Sequence, residues 1–133
     1  MIKQTSSLLP IILMAFISMN AYAKEDAQHK AMSEDAVDSQ FDNNKKLCEQ
    51  KKDFAQEVCI TQAEGDRDVA KAKLKATVEP TLENEVDYRV AIAEAKYTLS
   101  IKKCQTSSTR PSCMHKAQVL RDKETEDARE VRK

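Results

Sequence analysis

The architecture of this chain is set between Cys59 and Cys104, where it reads CITQAEGDRDVAKAKLKATVEPTLENEVDYRVAIAEAKYTLSIKKC. In the second half of this stretch, apolar side chains recur at steps of three or four residues, which is the period of a helix with one apolar face. The residues of this stripe are Leu82, Val86, Val90, Ala93, Tyr97, Ile101 and Cys104. The pattern predicts an amphipathic helix whose stripe packs mainly against the helix before it in the chain.

The same stretch contains a break at Glu79-Pro80-Thr81. A proline disfavours helical geometry in the residue before it, and Thr81 can cap the helix that follows. Upstream of the break, apolar spacing predicts another helix through Val58, Cys59, Ala63, Ala70 and Leu74. Gly65 weakens this helix, because glycine in a helix interior costs about 1 kcal/mol relative to alanine. We predict two separate helices around Pro80, and one long helix kinked at Pro80 is the alternative.

A further helix is expected on the N-terminal side of this stretch. Ser33 can cap it, and its apolar face is modest, with Val37, Phe41, Leu47 and Cys48. Asp53 and Gln56 fit a capping box, in which an aspartate replaces the usual serine or threonine. The chain is therefore expected to turn near Glu49 to Lys52 and to restart as a helix at Phe54.

A fourth helix is expected after a polar loop that spans residues 105–112. Ser112 can cap this helix, which is then expected to begin at Cys113. Its apolar residues are Met114, Ala117, Leu120, Ala128 and Val131. From Asp122 onward most side chains are charged, so we interpret this end as a solvated or frayed tail.

The N-terminus has the three parts of a secretory signal peptide. Lys3 is basic, an apolar run extends from Leu8 to Ile17, and Ala21-Tyr22-Ala23 fits a cleavage site. A membrane-spanning helix needs about 20 apolar residues, and this run is shorter and contains Pro10. We therefore predict export, a periplasmic or secreted location, and no membrane contact after cleavage.

Composition limits what the exported part can do. Residues 24–133 carry 21 basic and 22 acidic residues, a net charge of −1. This balance argues against a nucleic-acid partner and gives no electrostatic reason to bind an anionic membrane. The whole chain has a single glycine, three prolines and no tryptophan, a composition that favours helix throughout. Large apolar residues are sparse, so the core is expected to be thin and to depend on disulfides.

The chain also shows an internal similarity. At an offset of 56 residues, Phe41, Lys46 and Cys48 match Tyr97, Lys102 and Cys104. At an offset of 54 residues, Cys59, Ala63, Arg67 and Asp68 match Cys113, Ala117, Arg121 and Asp122. We interpret this as a duplication and not as a chance likeness of Ala/Lys-rich helices. The predicted organisation is a signal peptide at residues 1–23, a flexible leader at 24–32 and a helical repeat domain at 33–133, with repeats at about 33–79 and 80–133.

The cysteines predict the covalent framework. Four cysteines in an exported domain imply two disulfides, for which three connectivities exist. Each repeat holds its own pair, which favours Cys48–Cys59 with Cys104–Cys113. The competing pattern, Cys48–Cys113 with Cys59–Cys104, would join the two repeats to each other. The fold class that we predict is all-α, with about four helices in two antiparallel hairpins, each closed by a local disulfide.

No residue pattern indicates catalysis, a metal site or a cofactor. The cysteine spacings are wider than those of structural zinc sites, and no C-x-x-C redox motif is present. Cys113-Met114-His115 contains soft ligands that copper could bind, but it stands beside a predicted disulfide. His29 and His115 have no nucleophile motif beside them, and there is no glycine-rich phosphate loop. The acids Glu83, Glu85 and Asp87 are expected to lie on exposed faces.

Several segments resemble one group of exported proteins. They are Ala55-Gln56-Glu57-Val58-Cys59, Ala63-Glu64, Val69-Ala70-Lys71-Ala72, Pro80-Thr81, Ala93-Glu94-Ala95-Lys96-Tyr97 and Lys103-Cys104. The chain is similar here to uncharacterised small proteobacterial Ala/Lys-rich helical proteins with a repeated Lys-Asp-Val-Cys-x-x-Glu-Ala-Lys motif, some labelled cell envelope proteins. The similarity covers roughly Leu47 to Cys113, and Arg110-Pro111-Ser112-Cys113 departs from the motif. It implies a periplasmic location and supplies no catalytic residue.

The function expected from these observations is a structural or protein-interaction role without enzymatic activity. The expected partner is an envelope protein or a second copy of the chain. The alternative is a stress-related periplasmic protein that binds client proteins or a metal, with a helical concave face or Cys113-Met114-His115 as its site. A large exposed apolar groove would favour the client-binding alternative, because extensive apolar patches are unusual on monomers.

Overall fold

A computed structural model describes residues 33–130 of the chain, and this part is built from helices connected by short turns. The helices are α1 (Glu34–Glu49), α2 (Asp53–Val78), α3 (Leu82–Cys104) and α4 (Arg110–Glu130). The predicted all-α fold with four helices is confirmed for these residues. The predicted signal peptide, the leader at 24–32 and Val131 lie outside the described residues. Within the described part, no helix combines the length and the apolar character needed to cross a membrane.

The helices start and stop largely where local chemistry requires it. Ser33 caps α1 by accepting a hydrogen bond from the backbone N–H of Ala36 at 3.2 Å. The chain then turns through residues 50–52, close to the predicted turn. Helix α2 ends at Val78 and α3 begins at Leu82, so Pro80 separates two helices and the kinked single helix is wrong.

Two predicted helix starts are wrong. Asp53 forms no capping box: α2 begins at Asp53 itself, and Lys52 stands in the cap position without a side-chain cap bond. Asp53 has a φ of 52°, a left-handed conformation that aspartate tolerates better than most residues and that helps to reverse the chain within a short turn. Helix α4 begins at Arg110 and not at Cys113. Pro111 fits the first turn, where a missing N–H leaves no intrahelical bond unmade.

Each helix packs against the next one along the chain, and α3 lies in contact with both α2 and α4. The buried side chains are small, as the sparse apolar composition predicts. They are Cys48, Ala63, Val86, Ala93, Cys104, Ala117 and Ala128, together with the polar Asn84. Alanine removes little apolar surface from water, so the hydrophobic contribution per buried residue is low. The stability of such a domain must therefore depend strongly on its covalent crosslinks.

At Tyr97 and Cys104 the apolar stripe of α3 contacts α4, which corrects the expectation that the stripe packs mainly against α2. Tyr97 lies under the guanidinium of Arg121, and Cys104 is bonded to Cys113, both on α4. Helix α2 instead approaches α3 at Ala95. Ala95 is about 200° around the helix from the stripe residue Ala93, because each residue turns a helix by about 100°. Helix α3 therefore uses two opposite faces for its two neighbours.

Three apolar residues assigned to packed faces are largely exposed. Leu47, Leu82 and Leu120 each expose about half of their surface, between 49% and 58%. The sequence predicts a solvated C-terminal part of α4, but part of it is buried. It stays helical to Glu130, Ala128 is buried at 3% exposure, and Glu124 pairs with Lys96 of α3 at 2.9 Å. The prediction of a solvated tail from Asp122 onward is therefore wrong for its inner face.

The packing around Gly65 explains why α2 contains a residue that weakens helices. A Cβ atom added at Gly65 would lie 3.0 Å from the Cβ of Ala95, which is closer than side-chain carbons normally approach. Glycine therefore lets the backbones of α2 and α3 come close together. The packing contact offsets the low helix propensity that makes Gly65 look unfavourable in the sequence.

Candidate functional site

Both predicted disulfides form within their own part of the chain. Cys48 at the end of α1 is bonded to Cys59 on α2, and their Cα atoms are 5.4 Å apart. Cys104 at the end of α3 is bonded to Cys113 on α4, with a Cα separation of 5.6 Å. The competing pattern, which would join Cys48 to Cys113, is not the one formed. Each bond staples the end of one helix to the beginning of the next.

A cation–π contact accompanies each disulfide. The guanidinium of Arg67 on α2 lies 4.5 Å from the ring centre of Phe41 on α1. The guanidinium of Arg121 on α4 lies at the same distance, 4.5 Å, from the ring centre of Tyr97 on α3. Arginine over an aromatic face is stabilised by the quadrupole of the ring, and at an exposed site such a pair contributes about 0.5–1 kcal/mol. Each contact holds together the two helices that a disulfide also joins.

The arginine of each pair is held by the aspartate that follows it. Arg67 contacts Asp68 at 3.2 Å, and Arg121 contacts Asp122 at 2.6 Å. The hydrogen bonds that Arg121 donates to the Asp122 carboxylate raise the pKa of Arg121 above its usual value, and burial opposes this only in part. Arginine is already charged throughout the physiological range, so the stacked cation persists at every relevant pH.

The structure places the residues matched by sequence in matching contacts. We call α1 with α2 the first unit and α3 with α4 the second unit. Phe41 and Arg67 stack in the first unit, and their counterparts Tyr97 and Arg121 stack in the second. The sequence indicated the residue pairs but not the contact between them, because an aromatic residue and an arginine 24 to 26 positions apart give no local signal. That these units arose by duplication stays a prediction.

The turn between α2 and α3 is fixed by a small hydrogen-bond network. The Thr81 hydroxyl accepts a hydrogen bond from the backbone N–H of Asn84 at 3.1 Å, which caps α3 as predicted. The buried Asn84 side chain donates to the carbonyl oxygen of Glu79 at 2.7 Å. A side chain thus satisfies the carbonyl group at the point where Pro80 interrupts the helix. Asn84 gave no signal in the sequence, where it stands between charged residues.

This hydrogen-bonded turn presents apolar side chains to solvent. Val78 is 64% exposed and Leu82 is 49% exposed, one on each side of Pro80. Beside Val78 lies an open groove of about 340 Å³. It is lined by Ser33, Glu34, Leu74, Lys75, Val78 and Glu79. We call Val78, Pro80 and Leu82 the apolar turn, and it is the candidate contact surface of the protein.

The residues considered for metal binding or acid–base chemistry are not assembled into a site. Within residues 33–130, no group of three or more His, Cys, Asp or Glu side chains is placed to hold a metal ion. In Cys113-Met114-His115 the cysteine sulfur is bonded to Cys104. Glu85 pairs with Arg89 at 2.9 Å and Asp87 with Lys75 at 3.7 Å. His29 lies outside the described residues.

Comparison with known proteins gives no relative from which a role could be transferred. No family model, no curated protein and no solved structure matches this chain.

Proposed function

We propose that this protein is a non-enzymatic, exported structural or protein-interaction protein of the periplasm, and that it binds its partner through the apolar turn. The partner class is an envelope protein, with a second copy of this chain as the other candidate. The observation that carries the proposal is the exposure of Val78 and Leu82 on a turn held in place by hydrogen bonds.

Export is supported by the sequence of residues 1–23 and by the disulfides. Crosslinks of this kind persist in oxidising compartments and are rare where cytosolic thiols are kept reduced. The similarity to small exported proteobacterial proteins, some of them labelled cell envelope proteins, is consistent with the same compartment. These observations together favour the periplasm over the cytosol.

We further propose that the helices form two antiparallel hairpins. Asp38 near the start of α1 pairs with Lys71 near the end of α2 at 2.8 Å. Together with Cys48–Cys59, this contact ties the two ends of α1 to opposite ends of α2. In the second unit, Glu94 of α3 approaches Arg121 of α4 at 3.9 Å while Cys104 bonds to Cys113. Surface ion pairs contribute little stability, so these pairs indicate the relative direction of the helices and not how strongly the helices are held together.

The apolar turn suits a contact role because it is already ordered. Binding costs free energy whenever side chains or loops must be immobilised, and a preformed turn avoids most of that cost. The cap from Thr81 and the Asn84–Glu79 bond hold the backbone on both sides of Pro80. Two branched aliphatic side chains on such a support fit the core of an interface, which is depleted of charge.

A capture experiment with paired variants tests this proposal. The bait is the protein purified after export, and the prey is an envelope fraction from the same cells. We expect Val78→Ser with Leu82→Ser to lower partner recovery at least tenfold, because losing two half-buried aliphatic contacts costs about 1.5 kcal/mol or more. Both side chains are exposed in the free protein, so the fold should change little.

The matched control is Val119→Ser with Leu120→Ser. It removes the same two residue types from α4, where they are 54% and 53% exposed. Recovery with this control should equal that of the unmodified protein. If both double variants lose the partner equally, or if neither does, the apolar turn is not the contact surface. Capture of many unrelated unfolded proteins would instead favour the client-binding alternative.

A further inference from the structure

The charges of this nearly neutral chain are separated along its length. Residues 95–121 contain six Lys and Arg residues and no Asp or Glu. Residues 79–87 contain four acidic residues and no basic one. The first stretch surrounds the Cys104–Cys113 disulfide, and the second surrounds the apolar turn. Among the described residues, part of each stretch is paired with opposite charges. In this part of the chain, the charges that remain unpaired are Glu79 and Glu83 in the acidic stretch and Lys103, Arg110 and Lys116 in the basic one.

The unpaired charges of the two stretches lie near opposite ends of α3, with Glu79 and Glu83 at its start and Lys103 at its end. The helix runs from Leu82, beside the acidic stretch, to Cys104 at the disulfide. With 23 residues at about 1.5 Å each, the helix is roughly 34 Å long. The Debye length at physiological ionic strength is about 8 Å, so the acidic end does not cancel the field of the basic end. A partner that binds at one end of α3 therefore experiences mainly the charge of that end.

Three cations at the disulfide end are available to a ligand. Lys103, Arg110 and Lys116 are all exposed, and within residues 33–130 none of them has a carboxylate at ion-pair distance. Lys102 beside them is occupied by Glu57 of α2 at 3.2 Å. The loop between Lys103 and Arg110 adds the exposed hydroxyl of Ser108, which can donate a hydrogen bond to a phosphate oxygen, whereas the Thr106 hydroxyl already donates to the Lys103 carbonyl at 3.4 Å. We call Lys103, Arg110 and Lys116 the basic tip.

We infer that the basic tip binds the phosphate surface of an anionic phospholipid membrane as a peripheral contact. A specific protein interface normally needs large apolar or aromatic anchors, and none of the strongly exposed large apolar residues among the described ones lies between residues 102 and 116. An anionic membrane surface requires only clustered cations, and each Lys or Arg near it adds a similar increment of affinity. The inference is independent of the partner contact at the apolar turn.

This arrangement orients the protein. With the basic tip on the membrane, the apolar turn stands about one helix length away from the lipid surface. The acidic residues Glu79, Glu83 and Glu85 are then also farthest from the lipid phosphates, which would repel them. The two ends of α3 thus serve two different contacts, one with the membrane surface and one with a protein.

Vesicle flotation with charge-matched variants tests the inference. The probes are vesicles rich in phosphatidylglycerol and vesicles of phosphatidylcholine alone, and the protein is the oxidised form purified after export. We expect binding to the anionic vesicles at low ionic strength, a marked loss at physiological ionic strength, and no binding to the neutral vesicles. Replacing Lys103, Arg110 and Lys116 by glutamine should weaken partition into anionic vesicles on the order of 100-fold.

The control removes three other cations and changes the net charge by the same amount. Lys73, Lys123 and Arg129 are exposed, and among the described residues none is at ion-pair distance from a carboxylate. Their glutamine variant should retain most of the binding. Equal losses in the two triple variants, or no binding to anionic vesicles at low salt, would overturn the inference. Displacement by inorganic phosphate alone at the same phosphate concentration would also overturn it, in favour of a site for a free anion.

Discussion

Replacing Cys48 and Cys59 by alanine is expected to lower the free energy of unfolding by about 3 kcal/mol, and replacing Cys104 and Cys113 should cost about as much. The bonds span 11 and 9 residues, and closing loops of this length restricts the unfolded chain by roughly this amount. Because single domains are typically stable by 5–15 kcal/mol, loss of both bonds should leave the domain largely unfolded at physiological temperature. Urea denaturation followed by circular dichroism measures each change.

Reduction provides the control for the disulfide prediction. A reducing agent should destabilise the unmodified protein by about the sum of the two effects, and each cysteine-pair variant by the remaining one only. The expected effect is large because the core is thin: the buried side chains among the described residues are alanines, cysteines and one valine, together with the polar Asn84. If the reduced protein and the cysteine-pair variants had unfolding free energies within about 0.5 kcal/mol of the oxidised, unmodified protein, helix packing alone would be sufficient to hold the fold.

Gly65→Val is expected to destabilise the protein by about 2 kcal/mol. The new Cβ would stand 3.0 Å from the Cβ of Ala95, and two further methyl groups would need space in the same contact. Overpacking of this kind costs about 1–3 kcal/mol, and valine offers only a small gain in helix propensity over glycine to offset it. Urea denaturation measures the difference from the unmodified protein.

Glu64→Val is the matched control for this variant. Glu64 is the neighbouring residue on α2 and is exposed, so its replacement introduces the same branched side chain without the contact to α3. We expect Glu64→Val to change the unfolding free energy by about 0.5 kcal/mol or less. Equal effects of the two substitutions would mean that the approach of α2 to α3 at Gly65 does not constrain the fold.

The covalent framework and the helical content could be predicted because their signals are local. Cysteine pairs close together in an exported chain, a proline between two periodic segments and a threonine cap each act through neighbouring residues. The start of α4 was less predictable, because Ser112 and Thr109 are both acceptable before a first turn and Pro111 fits either choice. Local chemistry allowed α4 to begin at either Arg110 or Cys113, and the structure shows that it begins at Arg110.

The packing partner of the α3 stripe could not be predicted in the same way. Periodicity identifies an apolar face, but it does not say which neighbouring helix covers that face. Here α4 covers it at Tyr97 and Cys104, while α2 approaches through Gly65 and Ala95, two small residues that add little to an apolar pattern. A close helix contact made by small residues leaves almost no signal in a hydrophobicity profile.

The candidate contact surfaces depend on placement more than on composition. Leu82 belongs to the apolar stripe by spacing, yet its position at the start of α3 leaves it half exposed beside Val78. The net charge likewise predicts no attraction to an anionic surface, whereas the fold places Glu83 at the start of α3 and Lys103, which has no ion-pair partner among the described residues, at its end. A net charge or an apolar pattern does not report how far apart residues lie in the folded chain, so it cannot reveal where charged or apolar residues are exposed together.

We propose that this is an exported protein of two helix pairs, α1–α2 and α3–α4, each crosslinked by its own disulfide. Mass spectrometry tests this when cells express residues 1–133 and the exported protein is recovered and its peptides are mapped under non-reducing conditions. We expect an N-terminus at Lys24 and two crosslinked peptides, one joining Cys48 to Cys59 and one joining Cys104 to Cys113. A peptide that joins Cys48 to Cys113, four free thiols, or an uncleaved N-terminus would contradict this proposal.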